Sequence, residues 1–276
     1  MPEHYLQADN ANLCYEVEGT GPFIVIVPGG NGGSRLFRRF RDLLVEHFTV
    51  VLYDRRGYFR SNLTGPQDYS KRLETDVEDL RIIMANVTQE KFILFGISSS
   101  GALLMTYLNK YPETLLKLFV HEPMLYIDTF EGKDELQKFH LDTYNTYQTE
   151  GRNVAMEEFG NKYFNELDYY ILVRKQKDDI VNNWDYWFQH EWKEYPFAKV
   201  DWKAVKTHRE KTVLLYGIDS TGYNIREPGK AIAEYLNVEY LQFAGGHIGF
   251  YFESKKFFVN FIELCKKLSL LPEQQN

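Results

Sequence analysis

Short apolar runs alternate with longer amphipathic segments along most of the chain. Runs at 23–27, 49–53, 92–95, 115–120 and 212–216, with a further one at 238–243, have the length and β-branched content of strands. Most are continuously apolar instead of alternating, which predicts strands covered on both faces. Between them, segments 34–46, 71–86, 101–110, 226–236 and 254–268 carry apolar residues three or four positions apart, the spacing of a helix with one buried face. Strand and helix in alternation predict an α/β fold with a mostly parallel central sheet and helices on both faces.

The rhythm stops after His121-Glu122-Pro123 and resumes at Lys211. The intervening residues read as helix without a convincing strand, so the expectation is one domain over 1–276, with its core at 1–122 and 211–276 and a helical lid at about 124–208. All four tryptophans, Trp184, Trp187, Trp192 and Trp202, fall in that insertion. Most of its aromatic residues are expected to fill the insertion's own core, and a few to line a pocket over the sheet.

Composition excludes several classes of function. With 44% hydrophobic and 26% charged residues the chain has enough apolar material for a large core, which argues against disorder. Its net charge of -7 is spread among interspersed acids and bases. No basic block is present to neutralise nucleic acid or a lipid surface, so neither is expected as a partner. Cys14 and Cys265 lie near opposite ends, in a spacing that suits neither a disulfide framework nor a zinc site. Segment 1–19 lacks the basic start and apolar run of a secretory signal, and no stretch approaches the ~20 apolar residues of a membrane span. A cytoplasmic protein without metal or cofactor is the expectation.

Three loops carry candidate chemistry. In FILFGISSSGALLM, starting at Phe92, an apolar strand runs through a small-residue turn into a helix, the pattern of a nucleophile elbow with Ser98 at its apex. Gly96 and Ser100 occupy the flanking small positions; Ser100 stands where glycine is commoner, and three consecutive serines leave open which hydroxyl attacks. An ordinary strand-to-helix turn capped by serine would give the same pattern. The second loop, VIVPGGNGGS from Val25, ends an earlier strand and lacks the Gly-Lys-Ser/Thr ending of a phosphate loop. Backbone N–H groups of Gly30 and Ser99 are the candidate oxyanion hole, each donor worth roughly 3 kcal/mol to an acyl-transfer transition state.

The third loop, FAGGHIGF from Phe243, follows the last strand and offers His247 as general base. The other six histidines lack such a setting and read as surface or packing residues. For the acid that would orient the imidazole there are two candidates. Glu122 follows a strand directly at its carboxyl end, where ligands gather in open α/β sheets. Asp219, in YGIDSTG, follows the next strand, yet the usual G-x-x-D register lands on Ser220. Glu122 is the first choice and Asp219 the alternative.

With YDRRGY at 53–58, Arg60-Ser61, the SSSG elbow at 98–101, HEP at 121–123 and GGHIGF at 245–250, the sequence resembles the α/β-hydrolase superfamily, and within it a bacterial serine-hydrolase subgroup similar to carboxylesterases. The resemblance covers nearly the whole core and leaves the lid loosely related. It implies the α/β-hydrolase fold, a Ser98–His247–Glu122 triad, hydrolysis of carboxylic esters and, as in some relatives, homodimers through the lid helices; the aromatic lid suggests an apolar acyl chain of small to medium length. The same triad would serve a thioesterase, an acyltransferase or a C–C hydrolase, and the same pocket a ligand-binding sensor. Arg55 and Arg56 read as structural salt-bridging residues, with a substrate-carboxylate clamp as the alternative.

Overall fold

The computed structural model describes residues 3–175, 181–220 and 222–271. Its strands are β1 (Glu3–Ala8), β2 (Ala11–Glu18), β3 (Phe23–Val27), β4 (Thr49–Tyr53), β5 (Asn62–Leu63), β6 (Phe92–Ile97), β7 (Leu115–His121), β8 (Thr212–Gly217) and β9 (Tyr240–Phe243). They form one sheet in the order β1-β2-β4-β3-β6-β7-β8-β9, with β5 beside β2. Pairings from β4 through β9 are parallel; β2 pairs antiparallel with β1, β4 and β5.

Helices α1 (Arg38–Leu44), α2 (Arg72–Val87) and α3 (Ser100–Lys110) alternate with the early strands. Between β7 and β8 lie α4 (Lys133–Glu150), α5 (Arg152–Tyr163), α6 (Glu166–Tyr169), α7 (Val181–His190) and α8 (Trp202–Thr207). After β8 come α9 (Tyr223–Leu236), α10 (Gly249–Phe252) and α11 (Ser254–Lys267). The insertion is therefore helical, as its sequence predicts.

Alternate residues of each central strand belong to different cores, which explains why those runs lack a polar face. Val25, Val51, Leu94, Leu118 and Leu214 pack with Val77 and Leu80 of α2, Leu103 of α3 and Ile232 of α9. Their neighbours Ile24, Val50, Phe95, Phe119 and Leu215 face the other way, against Phe40 of α1 and Phe257 and Phe261 of α11. Each such side chain, once fully buried, contributes about 1.5–3 kcal/mol. Two layers of helix thus hold the strand ends in fixed register, and β6, β7 and β8 end side by side.

The β1–β2 hairpin was not predicted by the apolar pattern. β1 is an edge strand, with Tyr5 49% exposed, and β2 carries the buried Glu16, which pairs with Arg60 and Arg38 and interrupts the apolar run. Boundaries also differ: β6 continues to Ile97, β9 begins at Tyr240, and α9 begins before the predicted position at Tyr223.

Part of the insertion has its own aromatic core. Trp192 stacks on His140 at 4.2 Å and donates from its indole to the His140 carbonyl at 2.7 Å. The insertion is also joined to the sheet by buried charge. Glu191 accepts from Arg55 at 2.7 Å, from Tyr58 at 2.8 Å and from Arg72 at 3.1 Å. Arg55 also pairs with Asp76 at 2.8 Å, and Arg56 grips both oxygens of Asp79. Because its guanidinium is held by two protein carboxylates, Arg55 is spoken for as a structural residue.

Candidate active site

At the end of β6 the chain turns so sharply that Ser98 has φ +59°, a conformation uncommon in a residue with a Cβ. The turn is closed by the Ser98 N–H donating to the His121 carbonyl at 3.1 Å and by the Gly101 and Met124 N–H groups donating to the Ser98 carbonyl, both at 2.9 Å. Ser100 holds the elbow from inside: its hydroxyl accepts from the Ile97 N–H at 2.8 Å and donates to the Ile97 carbonyl at 2.7 Å. Ser99 and Ser100 are fully buried, whereas Ser98 lines a cavity. Of the three serines, therefore, only Ser98 presents its side chain to that space.

The cavity spans about 460 Å³, a volume that includes space open to solvent. His247 lines it, as do Gly30, Phe37, Phe159, Trp184 and Trp187. So two of the four tryptophans face the cavity, while Trp192 packs inside the insertion. The buried indole Nε1 of Trp187 has no hydrogen-bond partner. Gly30 leaves room for that indole, since a Cβ there would come within 2.5 Å of its ring.

Arg55 Nη2 donates to the Gly29 carbonyl at 2.9 Å. In a trans peptide C=O and N–H point oppositely, so this bond turns the Gly30 N–H away from Arg55. Ser99 immediately precedes α3, where the backbone N–H groups of a helix start are free for an anion. Both candidate oxyanion donors thus belong to backbone held by its neighbours.

His247 lines the same cavity as Ser98 and meets Glu122. Glu122 begins the turn after β7 with φ +45°, a second non-glycine residue in left-handed backbone at this site. Its Oε2 lies 2.8 Å from His247 Nδ1, and its Oε1 accepts from the Gly217 N–H at 2.8 Å. Burial works to raise the Glu122 pKa, but the hydrogen bond from His247 and the nearby charges of His121 and His247 outweigh it, leaving the carboxyl below its ordinary value. Asp219 does not reach the histidine by its side chain. It is exposed, and its contacts are made by its backbone, N–H to the Gly245 carbonyl at 3.0 Å and carbonyl from Asn165 Nδ2 at 3.2 Å.

His121, next to Glu122, is buried packing. Burial lowers its pKa, and its Nε2 contacts the Gly246 carbonyl at 3.3 Å. A further acid was missed by reading the sequence: Asp168 of α6 accepts from the His247 N–H at 2.7 Å and from the Ile248 N–H at 3.3 Å. Its only local signal is Asn165, three residues earlier, whose side chain caps the Asp168 N–H at 2.9 Å.

A serine on a strained strand-to-helix turn, an imidazole bonded to a buried carboxylate, and an apolar cavity between them define the class. The family model described as alpha/beta hydrolase fold matches residues 22–253, and the chain belongs to that family. It is similar to the uncharacterized hydrolase YraK of Bacillus subtilis (strain 168), with 27% identity over 269 residues that cover 95% of each chain. Its fold is similar to that of a thermophilic esterase from Thermogutta terrifontis, with a TM-score of 0.73 and 17% identity over 97% of this chain and 99% of that one. An enol-lactonase from Burkholderia xenovorans LB400 is similar at a TM-score of 0.72, with 14% identity over 95% and 100%. Among the described residues no helix is long and apolar enough to cross a membrane.

Proposed function

We propose that the protein is a serine hydrolase that cleaves carboxylic esters of small to medium apolar acyl chains. The observation that carries this reading is the buried 2.8 Å contact between His247 Nδ1 and Glu122 in a cavity shared with Ser98. A carboxylate at Nδ1 keeps that nitrogen protonated and leaves Nε2 as the base. Nε2 then takes the Ser98 proton as Oγ bonds to the ester carbonyl carbon, and the carbonyl electron pair moves to oxygen. The Gly30 and Ser99 N–H groups stabilise that oxyanion. Collapse expels the alkoxide, which takes the proton from His247; water repeats the sequence on the acyl-enzyme and releases the acid.

The walls support an apolar acyl group. Phe37, Phe159, Phe164, Leu172 and Trp184 line it, and among the described residues no lysine or arginine does so to bind a second charge on the substrate. The names of the esterase and the enol-lactonase of similar fold agree with ester cleavage.

The test is intact-protein mass after fluorophosphonate treatment of the wild type and Ser98→Ala, with turnover of p-nitrophenyl esters of increasing chain length. One adduct and ester turnover, both lost in the variant, are expected. A wild type that folds but neither labels nor turns over ester rejects the reading.

A further inference from the structure

We infer that Asp168, supplied by the insertion and not by the sheet, is a positioning residue that holds the His247 loop in its working place. The inference rests on the proposed role of His247 as base. Glu122 meets the imidazole, and among the described residues its side-chain hydrogen bonds go to His247 Nδ1 and the Gly217 N–H, not to the loop's backbone. The backbone is held from the opposite side: Asp168 Oδ2 accepts from the His247 N–H at 2.7 Å and Oδ1 accepts from the Ile248 N–H at 3.3 Å. Two consecutive backbone donors on one carboxylate leave the loop little freedom to translate or rotate.

The approach is close. A Cβ on Gly246 would lie 2.2 Å from Asp168 Oδ2 and 2.3 Å from Asn165 Nδ2, so the loop can dock on α6 only because this position is glycine. The presentation of Asp168 is also fixed, by the Asn165 cap on its N–H. Asp168 is 1% exposed, and a carboxylate is costly to bury. The two N–H bonds offset part of that cost. Neutral packing would have filled the space without it, but would have left both donors empty.

Burial, with the Glu122 charge adding to it, pushes the Asp168 carboxyl up to about 6, against the favourable influence of His247 and the two N–H bonds. The other titratable groups around it are His121 beneath the loop, Glu166 on its own helix, and Asp219 and Glu253 across a surface cleft. Protonating Asp168 removes an acceptor from the loop, so the acid limb of log kcat against pH should fall more steeply than one titrating group allows.

The experiment compares wild type with Asp168→Asn, which keeps the shape but can offer only one acceptor to the two N–H groups, and with Asn165→Ala, which removes the cap and leaves the carboxylate. At pH 8, Asp168→Asn should lower kcat by about ten- to a hundredfold with little change in KM, because a small misplacement of a base costs rate more than binding. Its acid limb should become that of a single group. Asn165→Ala should lose less, in the same direction, and decides the matter if Asp168→Asn does not fold.

A 1H NMR readout is independent of turnover: the downfield His247 Nδ1–H resonance, assigned by its loss in His247→Ala, should broaden in Asp168→Asn. Wild-type kcat within twofold in both variants, or an Nδ1–H resonance as sharp as in wild type, overturns the inference. If the wild type turns over no ester, the functional reading fails and the NMR comparison alone judges Asp168.

Discussion

Replacing Glu122 by glutamine should separate the orienting acid from every other carboxylate near the site, and the structure says which way the new amide would lie. Glu122 Oε1 accepts from the Gly217 N–H at 2.8 Å, while Oε2 faces His247 Nδ1. In Glu122→Gln the Gly217 donor still requires an oxygen, so the carbonyl takes that side and the NH2 is turned onto Nδ1. Nδ1 must then accept, which moves the ring proton to Nε2, the nitrogen that should be free to take the serine proton. An equivalent tautomer reversal in a serine protease costs about 10⁴ in kcat, or about 5.5 kcal/mol of barrier.

The expected loss here is ~10³–10⁴ in kcat for a p-nitrophenyl ester, with fluorophosphonate labelling slowed in parallel and the circular dichroism unchanged. Asp219→Asn should stay within about threefold of wild type, since among the described residues its hydrogen bonds are made by its backbone. A Glu122→Gln enzyme within tenfold of wild type would refute this reasoning, and a severe loss in Asp219→Asn would transfer the role to that residue.

Two further outcomes concern stability. Because the folded-state pKa of Asp168, about 6, lies above its ordinary 3.8, its contribution is full below about pH 4 and is lost as pH rises through 6, a swing of about 3 kcal/mol. Glu122 changes in the opposite sense but is common to both proteins, so urea unfolding of Asp168→Asn relative to wild type should shift in the variant's favour by about 2–3 kcal/mol between pH 4 and pH 7; a constant difference would show that the group does not titrate as its burial requires. Glu191→Gln should cost about 3–5 kcal/mol, read from the urea midpoint at pH 7, because Arg55 and Arg72 are buried and among the described residues would keep Asp76 as their one carboxylate partner. An unchanged midpoint would mean that Asp76 alone neutralises both.

How much was legible in the sequence depended on whether a feature leaves a local pattern. The strands from β3 to β8 did, because burial on two faces forces uninterrupted Val, Ile, Leu and Phe. The elbow around Ser98 and the glycines before His247 did as well, since backbone geometry demands small residues at fixed offsets. Glu122 could be favoured over Asp219 by its position at a strand end, but only the fold shows which of the two carboxylates meets the imidazole. The β1–β2 hairpin has a weak signature: Asn10 in left-handed backbone marks the turn, yet an exposed edge strand and an ion-paired Glu16 hide the strands themselves. Asp168 and Glu191 were illegible. In NELDYY and HEW nothing local distinguishes them from other acids, and their meaning comes from partners far away in the chain, His247 and Ile248 for one, Arg55 and Arg72 for the other.

Glu191 bears on how such an enzyme could be re-engineered. It sits in the insertion, yet its counter-charges lie on the sheet side, and one of them, Arg55, also holds the Gly29 carbonyl beside the candidate oxyanion donor. Electrically the two parts are halves of one object. A chimera that takes its cover from a relative in order to admit other substrates would take Glu191 from two buried guanidinium groups, leaving them Asp76, and loosen the peptide whose N–H is the candidate oxyanion donor. Substrate range in this scaffold is therefore better altered one wall residue at a time, with Glu191 left in place, than by exchanging the insertion whole.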